Sequence, residues 1–180
     1  MPGEITFVMI ARLIKEKGVY EYIKAAEIVK KEFPSIRFDL VGWIDEHPSS
    51  LSKQGLETLV EKGIVNYLGR LDDVRSSIAS ASVFVLPSYR EGLPRTTQEA
   101  MAMARAVITT DVPGCRETVV DGLNGYQVPA GDVHGIVDAM KKFIHNPELA
   151  RNMGAESRKI AMSRFDKDKI TKRLLSVMGL

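Results

Sequence analysis

Two glutamates eight residues apart, Glu91 and Glu99, bracket the stretch Gly92-Leu93-Pro94-Arg95-Thr96. Carboxylates so placed can accept hydrogen bonds from hydroxyl groups. A second stretch, Ala11-Arg12-Leu13-Ile14-Lys15-Glu16-Lys17-Gly18, carries two cations of different kinds. Arg12 offers a planar fork that suits phosphate oxygens, and Lys17 offers a point charge. Together these groups describe a site for a polyhydroxylated ligand with an anionic part. Spacing alone does not make the case. Glu148 and Glu156 are also eight apart but lie in a polar helical segment with no strand before it, a solvated face. Arg12 and Lys17 are equally open to an ordinary surface role, since long cationic side chains commonly snorkel. Context must decide.

That context is a strict alternation of short apolar runs and helical stretches. Apolar runs at 5–10, 36–41, 64–68, 83–86, 106–110 and 125–128 read as buried strands. Helices are expected at 18–31, 49–62, from Asp72 to about Ala79, from Pro94 through Ala104, at 114–120, 132–145, 147–164 and 166–178. Val19, Tyr22, Ile23, Ala26 and Val29 share one face of the first helix. Phe33-Pro34 stops that helix, and Pro94 suits the first position of another. Strand–helix alternation predicts an α/β fold: a doubly wound parallel six-stranded sheet with helices on both faces and a C-terminal helical tail. In the order 3-2-1-4-5-6 the winding reverses between strands one and four, where ligands bind at the carboxyl ends. The loops flanking that point are 11–18 and 87–93. The second enters a helix, whose free N–H groups and dipole favour an anion near Pro94 to Thr97. Gly92 lets backbone approach a ligand closely.

Bulk properties narrow the classes. The 180 residues are 44% hydrophobic and 27% charged, with net charge +2, as in one well-cored domain. No clustered basic face suggests nucleic acid. The single cysteine, Cys115, forms no internal disulfide and fits a reducing cytosolic setting. No apolar run reaches the ~20 residues of a bilayer span, and residues 1–4 do not open a signal peptide.

With these segments in view, the sequence resembles the C-terminal, donor-binding domain of retaining GT-B glycosyltransferases, the large family 4 or group 1 set. Residues 11–18 resemble the family's G-R-L-x-x-x-K-G segment, and Glu91 through Glu99, followed by Ala100-Met101-Ala102, its E-x7-E segment. Ile108-Thr109-Thr110-Asp111-Val112-Pro113-Gly114-Cys115-Arg116-Glu117 and Asp121-Gly122-Leu123-Asn124-Gly125 resemble the two segments that follow. The resemblance covers nearly the whole chain and implies a Rossmann-like half of a GT-B fold. It also implies roles. Arg12 and Lys17 would bind the donor diphosphate and stabilise the leaving group, with Glu91 on the donor sugar as the third catalytic residue. Gly92, Leu93, Pro94, Arg95 and Thr96 would contribute donor-binding backbone and side chains, Glu99 would hold the ribose, and Arg70 and Leu71 would lie by the base. The donor would be a UDP- or GDP-sugar, bound without a metal ion or a covalently held cofactor. The acceptor would be a glycan or lipid-linked molecule in cell-surface polysaccharide or glycolipid synthesis. Residues 1–180 then form one domain excised from a two-domain enzyme, inactive alone. The expected location is the cytoplasm, with the missing N-terminal acceptor domain as the route to the inner membrane face.

Ala11 and Ala104 depart from the pattern, each standing where glycine is common. The apolar side of the last helix, Ile170, Leu174, Leu175 and Met178, either packs on this core or crosses to the missing domain. Other strings are set aside. Asp166-Lys167-Asp168 resembles a metal-binding D-x-D but sits at a helix start, where acids serve the dipole. His47, His134 and His145 lack ligand spacing, and Cys115 is expected to pack as a small apolar residue. Trp43 is expected to cover the sheet end rather than stack in the crevice. No Walker A or G-x-G-x-x-G string follows strand one. Two rivals stay open: half of a UDP-sugar 2-epimerase, and a non-catalytic nucleotide-sugar-binding module.

Overall fold

The computed structural model describes residues 5–178; residues 1–4, read above for a leader, lie outside the described part. Six parallel strands form one sheet, β1 (Thr6–Ile10), β2 (Arg37–Val41), β3 (Asn66–Gly69), β4 (Val83–Leu86), β5 (Ala106–Thr110) and β6 (Gly125–Val128). Their spatial order is β3-β2-β1-β4-β5-β6, the expected doubly wound order. β1, β4 and β5 are buried along their whole length, as central strands covered on both faces must be.

The helices are α1 (Val19–Glu32), α2 (Lys53–Glu61), α3 (Arg75–Ser80), α4 (Arg95–Ala102), α5 (Val133–His145), α6 (Glu148–Arg164) and α7 (Lys167–Met178). α1 packs against α5, α4 packs against α6, and α5 meets α6. The expected apolar face of α1 is buried throughout. None of the helices among the described residues is long and apolar enough to cross a membrane.

Four local expectations are corrected. The helix expected from residue 49 starts only at Lys53. Ser49 and Ser50 instead pair with the first loop, through Lys15 N–H to the Ser49 carbonyl at 3.1 Å and an isolated bridge between Ile14 and Ser50. The side chain of Ser52 then caps α2, accepting from the Gly55 N–H at 3.1 Å. Asp72 is not the cap of α3; the Asp73 carboxylate accepts the Arg75 N–H at 3.0 Å and the helix begins there. β3 starts at Asn66, two residues later than expected, and closes at Gly69 with φ +74. Segment 114–120 is a series of turns and not a helix. Gly114 sits at φ +87, the Glu117 carboxylate accepts its N–H at 2.6 Å, and the Thr118 hydroxyl donates to the Cys115 carbonyl at 2.6 Å. Such local side-chain bonds compete with helix continuation.

Ala11 is not among the residues with positive φ, so its replacement of glycine is mild. Ala104 does adopt φ +59, the left-handed turn that glycine would make freely. Asp166 caps α7 by accepting the Lys169 N–H at 3.0 Å, the dipole-serving role expected of that string. Ile170, Leu174, Leu175 and Met178 are 49%, 58%, 40% and 63% exposed, so α7 does not bury its apolar side on this core.

Candidate functional site

The loop after β1 is sewn to the loop after β2. Ala11 N–H donates to Val41, Leu13 N–H to Trp43 and Leu51 N–H to Leu13, at 3.1, 3.0 and 2.8 Å. A 3-10 turn, Lys15–Lys17, follows and ends at Gly18 with φ +76. A β-carbon on Gly18 would lie 2.1 Å from the Pro87 carbonyl oxygen, so glycine is what lets this loop touch the one after β4. There the two loops are joined directly. The Glu16 carbonyl accepts from the Tyr89 N–H and from the Ser88 hydroxyl, both at 2.9 Å. On the far side the Thr110 hydroxyl donates to the Ser88 carbonyl. Gly114 passes so close that a β-carbon would stand 2.3 Å from the Glu91 carbonyl oxygen. Tyr89 also donates to the buried Glu21 of α1 at 2.8 Å, which ties the same loop to the helical layer.

This bracing fixes Lys17 and Glu91. Their side chains are 21% and 12% exposed and meet at 2.6 Å between Nζ and Oε1. Arg12 is more exposed and pairs with Asp45 of the loop after β2 at 3.1 Å. Both cations point to one cleft of about 320 Å³ at the carboxyl ends of β1, β2 and β4. Its polar lining is Arg12, Lys17, Arg70, Glu91, Arg95 and Thr96: four cations against one carboxylate. Its apolar lining includes Trp43, Leu71, Val74 and Pro94. Pro94 is the N-cap of α4, so the free N–H end of that helix opens beside the cleft. Arg70 lies over the Trp43 ring, 5.1 Å from its centroid. Burial pushes the nearby Cys115 thiol up, so this lone cysteine is a neutral packing group, as expected.

The arrangement gathers most of the expected residues. Arg12, Lys17, Glu91, Pro94, Arg95, Thr96, Arg70 and Leu71 share one cleft. Gly92 and Leu93 are exposed and are not part of its lining. A β-carbon on Gly92 would meet no protein atom within 4 Å, so no contact inside the protein demands glycine there. Glu99 is exposed and outside the lining; it stands on α4 three and four residues beyond Thr96 and Arg95, on the same helix face. The expectation for Trp43 is corrected: it lines the cleft, 39% exposed, because Gly42 turns the chain there with φ +150. Asp45, Val74 and the clamp by Gly114 were not legible as site features. For Trp43 a signal existed, a Gly-Trp pair at the carboxyl end of the strand next to the switch point. Among the described residues, no group of three or more His, Cys, Asp or Glu side chains could hold a metal ion.

A sequence model of the glycosyl transferases group 1 matches residues 2–160. The chain belongs to this family. Over 169 residues it is 30% identical to the N,N'-diacetylbacillosaminyl-diphospho-undecaprenol alpha-1,3-N-acetylgalactosaminyltransferase of Campylobacter jejuni, covering 94% of this chain and 43% of that protein. The crystal structure of Anabaena HepE in complex with UDP and glucose has a TM-score of 0.86 to this fold at 21% identity, covering 98% of this chain and 48% of that one. The C-terminal domain of a group 1 family glycosyl transferase from Francisella tularensis matches with a TM-score of 0.81 at 24% identity, covering 93% of this chain and 89% of that one. These structural likenesses are likenesses of fold. The group 1 chain described here therefore has the α/β architecture of a GT-B C-terminal domain, and it spans less than half the length of the curated relatives it matches.

Proposed function

We propose that this chain is the nucleotide-sugar-binding half of a retaining glycosyltransferase. It serves transfer of a hexose-type sugar from a UDP- or GDP-sugar to a glycan or lipid-linked acceptor. The observation that carries the reading is the Lys17–Glu91 pair in a cationic cleft beside the N-terminus of α4. A diphosphate there meets Arg12, Lys17 and the free N–H groups of α4 from different sides. Negative charge grows on the departing diphosphate oxygen as the glycosidic bond breaks, and preorganised donors at that point lower the barrier. Glu91, relieved of Lys17 by the phosphate, accepts hydrogen bonds from sugar hydroxyls. Glu99, on the same face of α4, reaches for the ribose. The protein's own cations neutralise the diphosphate, with no metal ion in that role.

The Campylobacter relative, named for a diphospho-undecaprenol acceptor, supports the lipid-linked acceptor class. The HepE complex with UDP and glucose supports a UDP-sugar donor. The exposed apolar side of α7 supports a second, N-terminal acceptor domain against which that helix lies. Such an enzyme works in the cytoplasm, at the inner membrane face when its acceptor is a lipid. The test is sugar transfer by the two-domain enzyme with a panel of UDP- and GDP-sugars, reading the product's anomeric configuration by NMR, with and without EDTA. Retention and full activity in EDTA are expected. An inverted product overturns the mechanism, and loss of activity in EDTA that magnesium restores overturns the metal-free neutralisation.

A further inference from the structure

Tyr89 is held at both of its ends by the segment that carries Lys17. Its backbone N–H donates to the carbonyl of Glu16, the residue before Lys17, at 2.9 Å. Its hydroxyl donates to Oε1 of Glu21, one helical turn beyond Lys17, at 2.8 Å. One hydrogen bond leaves a side chain free to pivot, whereas two bonds at opposite ends fix its direction. Tyr89 therefore spans the segment 16–21 as a strut, and Glu91 lies just beyond it in the same loop. The loop after β6 closes over the far end, where a β-carbon on Gly131 would stand 3.1 Å from the Tyr89 hydroxyl.

Glu21 is an unfavourable anchor on packing grounds. It is 8% exposed, in a turn of α1 whose Val19, Tyr22, Ile23 and Ala25 are also buried. Its second oxygen, Oε2, is buried with no hydrogen-bond partner among the described residues. Burying a carboxylate is costly unless its oxygens are bonded. An apolar residue would fill this position on α1 without that cost, but it would not hold the Tyr89 hydroxyl. Partial desolvation, and after it the bond to Glu21, raise the Tyr89 phenol, so the hydroxyl stays a donor.

We infer that Tyr89 and Glu21 are positioning residues of the donor cleft: the strut they form sets the separation of Lys17 and Glu91 at which a diphosphate is received. The inference rests on the donor-cleft reading and deepens it. Neither residue lines the cleft, so both act through the Lys17–Glu91 pair. Small misplacements of a binding group are expensive, and an ångström can cost about 10²-fold. Because Lys17 serves the phosphates, loss of the strut weakens a nucleoside diphosphate and inorganic pyrophosphate alike.

The experiment measures binding of UDP, GDP and inorganic pyrophosphate to the 180-residue protein by calorimetry, with urea unfolding of each variant beside it. Tyr89→Phe is expected to weaken nucleotide and pyrophosphate by about ten-fold each. Glu21→Gln keeps an amide oxygen for the hydroxyl and is expected to bind close to the parent. The double variant Glu21→Leu with Tyr89→Phe removes both partners and leaves no buried polar group unpaired, so its stability returns towards the parent. Its affinity is expected to stay about ten-fold low, because the strut is gone. This variant keeps the test decisive even where Tyr89→Phe alone unfolds. Parent affinity in Tyr89→Phe, affinity that recovers with stability in the double variant, or Glu21→Gln as weak as Tyr89→Phe overturns the positioning role and leaves the donor cleft standing. A loss for nucleotide with none for pyrophosphate also overturns it, since the effect then lies away from the phosphates. No binding of UDP, GDP or pyrophosphate by the parent overturns the donor cleft and the positioning role with it.

Discussion

Lys17 and Glu91 are held 2.6 Å apart with little exposure, so each charge compensates the other. Removing one partner leaves the other partly buried and unpaired, which costs more than the pair itself contributes. Lys17→Ala in the proposed two-domain enzyme would therefore lose both the proposed phosphate ligand and the balance of Glu91. We expect kcat to fall by about 10²–10³, the usual loss for a group that stabilises developing negative charge, measured by steady-state kinetics at saturating donor. Glu99 has a built-in comparison. Glu156 copies its eight-residue offset from Glu148 but lies on α6, paired with Lys159 at 2.6 Å and outside the cleft lining. Glu99→Ala is expected to weaken nucleotide binding several-fold by calorimetry and Glu156→Ala to leave it unchanged. Equal effects would remove the ribose role from Glu99.

At the scale of elements, the sheet was legible because each strand is a short apolar run and each connection a helical one, which leaves a parallel doubly wound order as the natural solution. The switch point followed from that order, and with it the two loops that meet in the cleft. The failures have a common cause in side chains bonding backbone locally. Ser52, Asp73 and the Glu117–Gly114 bond each move or prevent a helix start that apolar periodicity alone would place elsewhere. The clamp of Gly114 on Glu91 is a tertiary contact between loops more than twenty residues apart, and spacing carries no trace of it. Ala104 shows the reverse case. The sequence marked it as standing in place of glycine, and the chain keeps the left-handed turn at φ +59 regardless. A β-carbon in that conformation costs about 1–2 kcal/mol, part of which glycine's greater unfolded freedom offsets. Ala104→Gly is expected to raise stability by about 0.5–1 kcal/mol in urea unfolding; a loss would mean that the alanine methyl contributes packing that outweighs the strain.

For the whole molecule, ionisable groups buried in neutral form set the alkaline limit. Burial raises the phenol of Tyr22 and the thiol of Cys115 above their ordinary values, and partial desolvation raises the phenols of Tyr89 and Tyr126. Above the ordinary value of each group the unfolded chain has lost a proton that the folded chain still holds, so stability falls as pH rises. The fall should begin near pH 8.5, where a free thiol titrates, and steepen above about 10, where free phenols do. Urea midpoints at a series of pH values would check this, and a midpoint constant from pH 8 to 11 would contradict it. The same scale explains what no residue-level reasoning reaches. α7 carries an apolar side that this core leaves exposed, and the cleft opens at the carboxyl ends of the interior strands β1, β2 and β4.

The most direct test of the donor cleft is an NMR titration of the 180-residue protein with UDP and with GDP. Weak binding is expected, with amide shifts concentrated at 11–18, 43, 70–71 and 91–99. Shifts confined to other surfaces, or none at millimolar nucleotide, would contradict it.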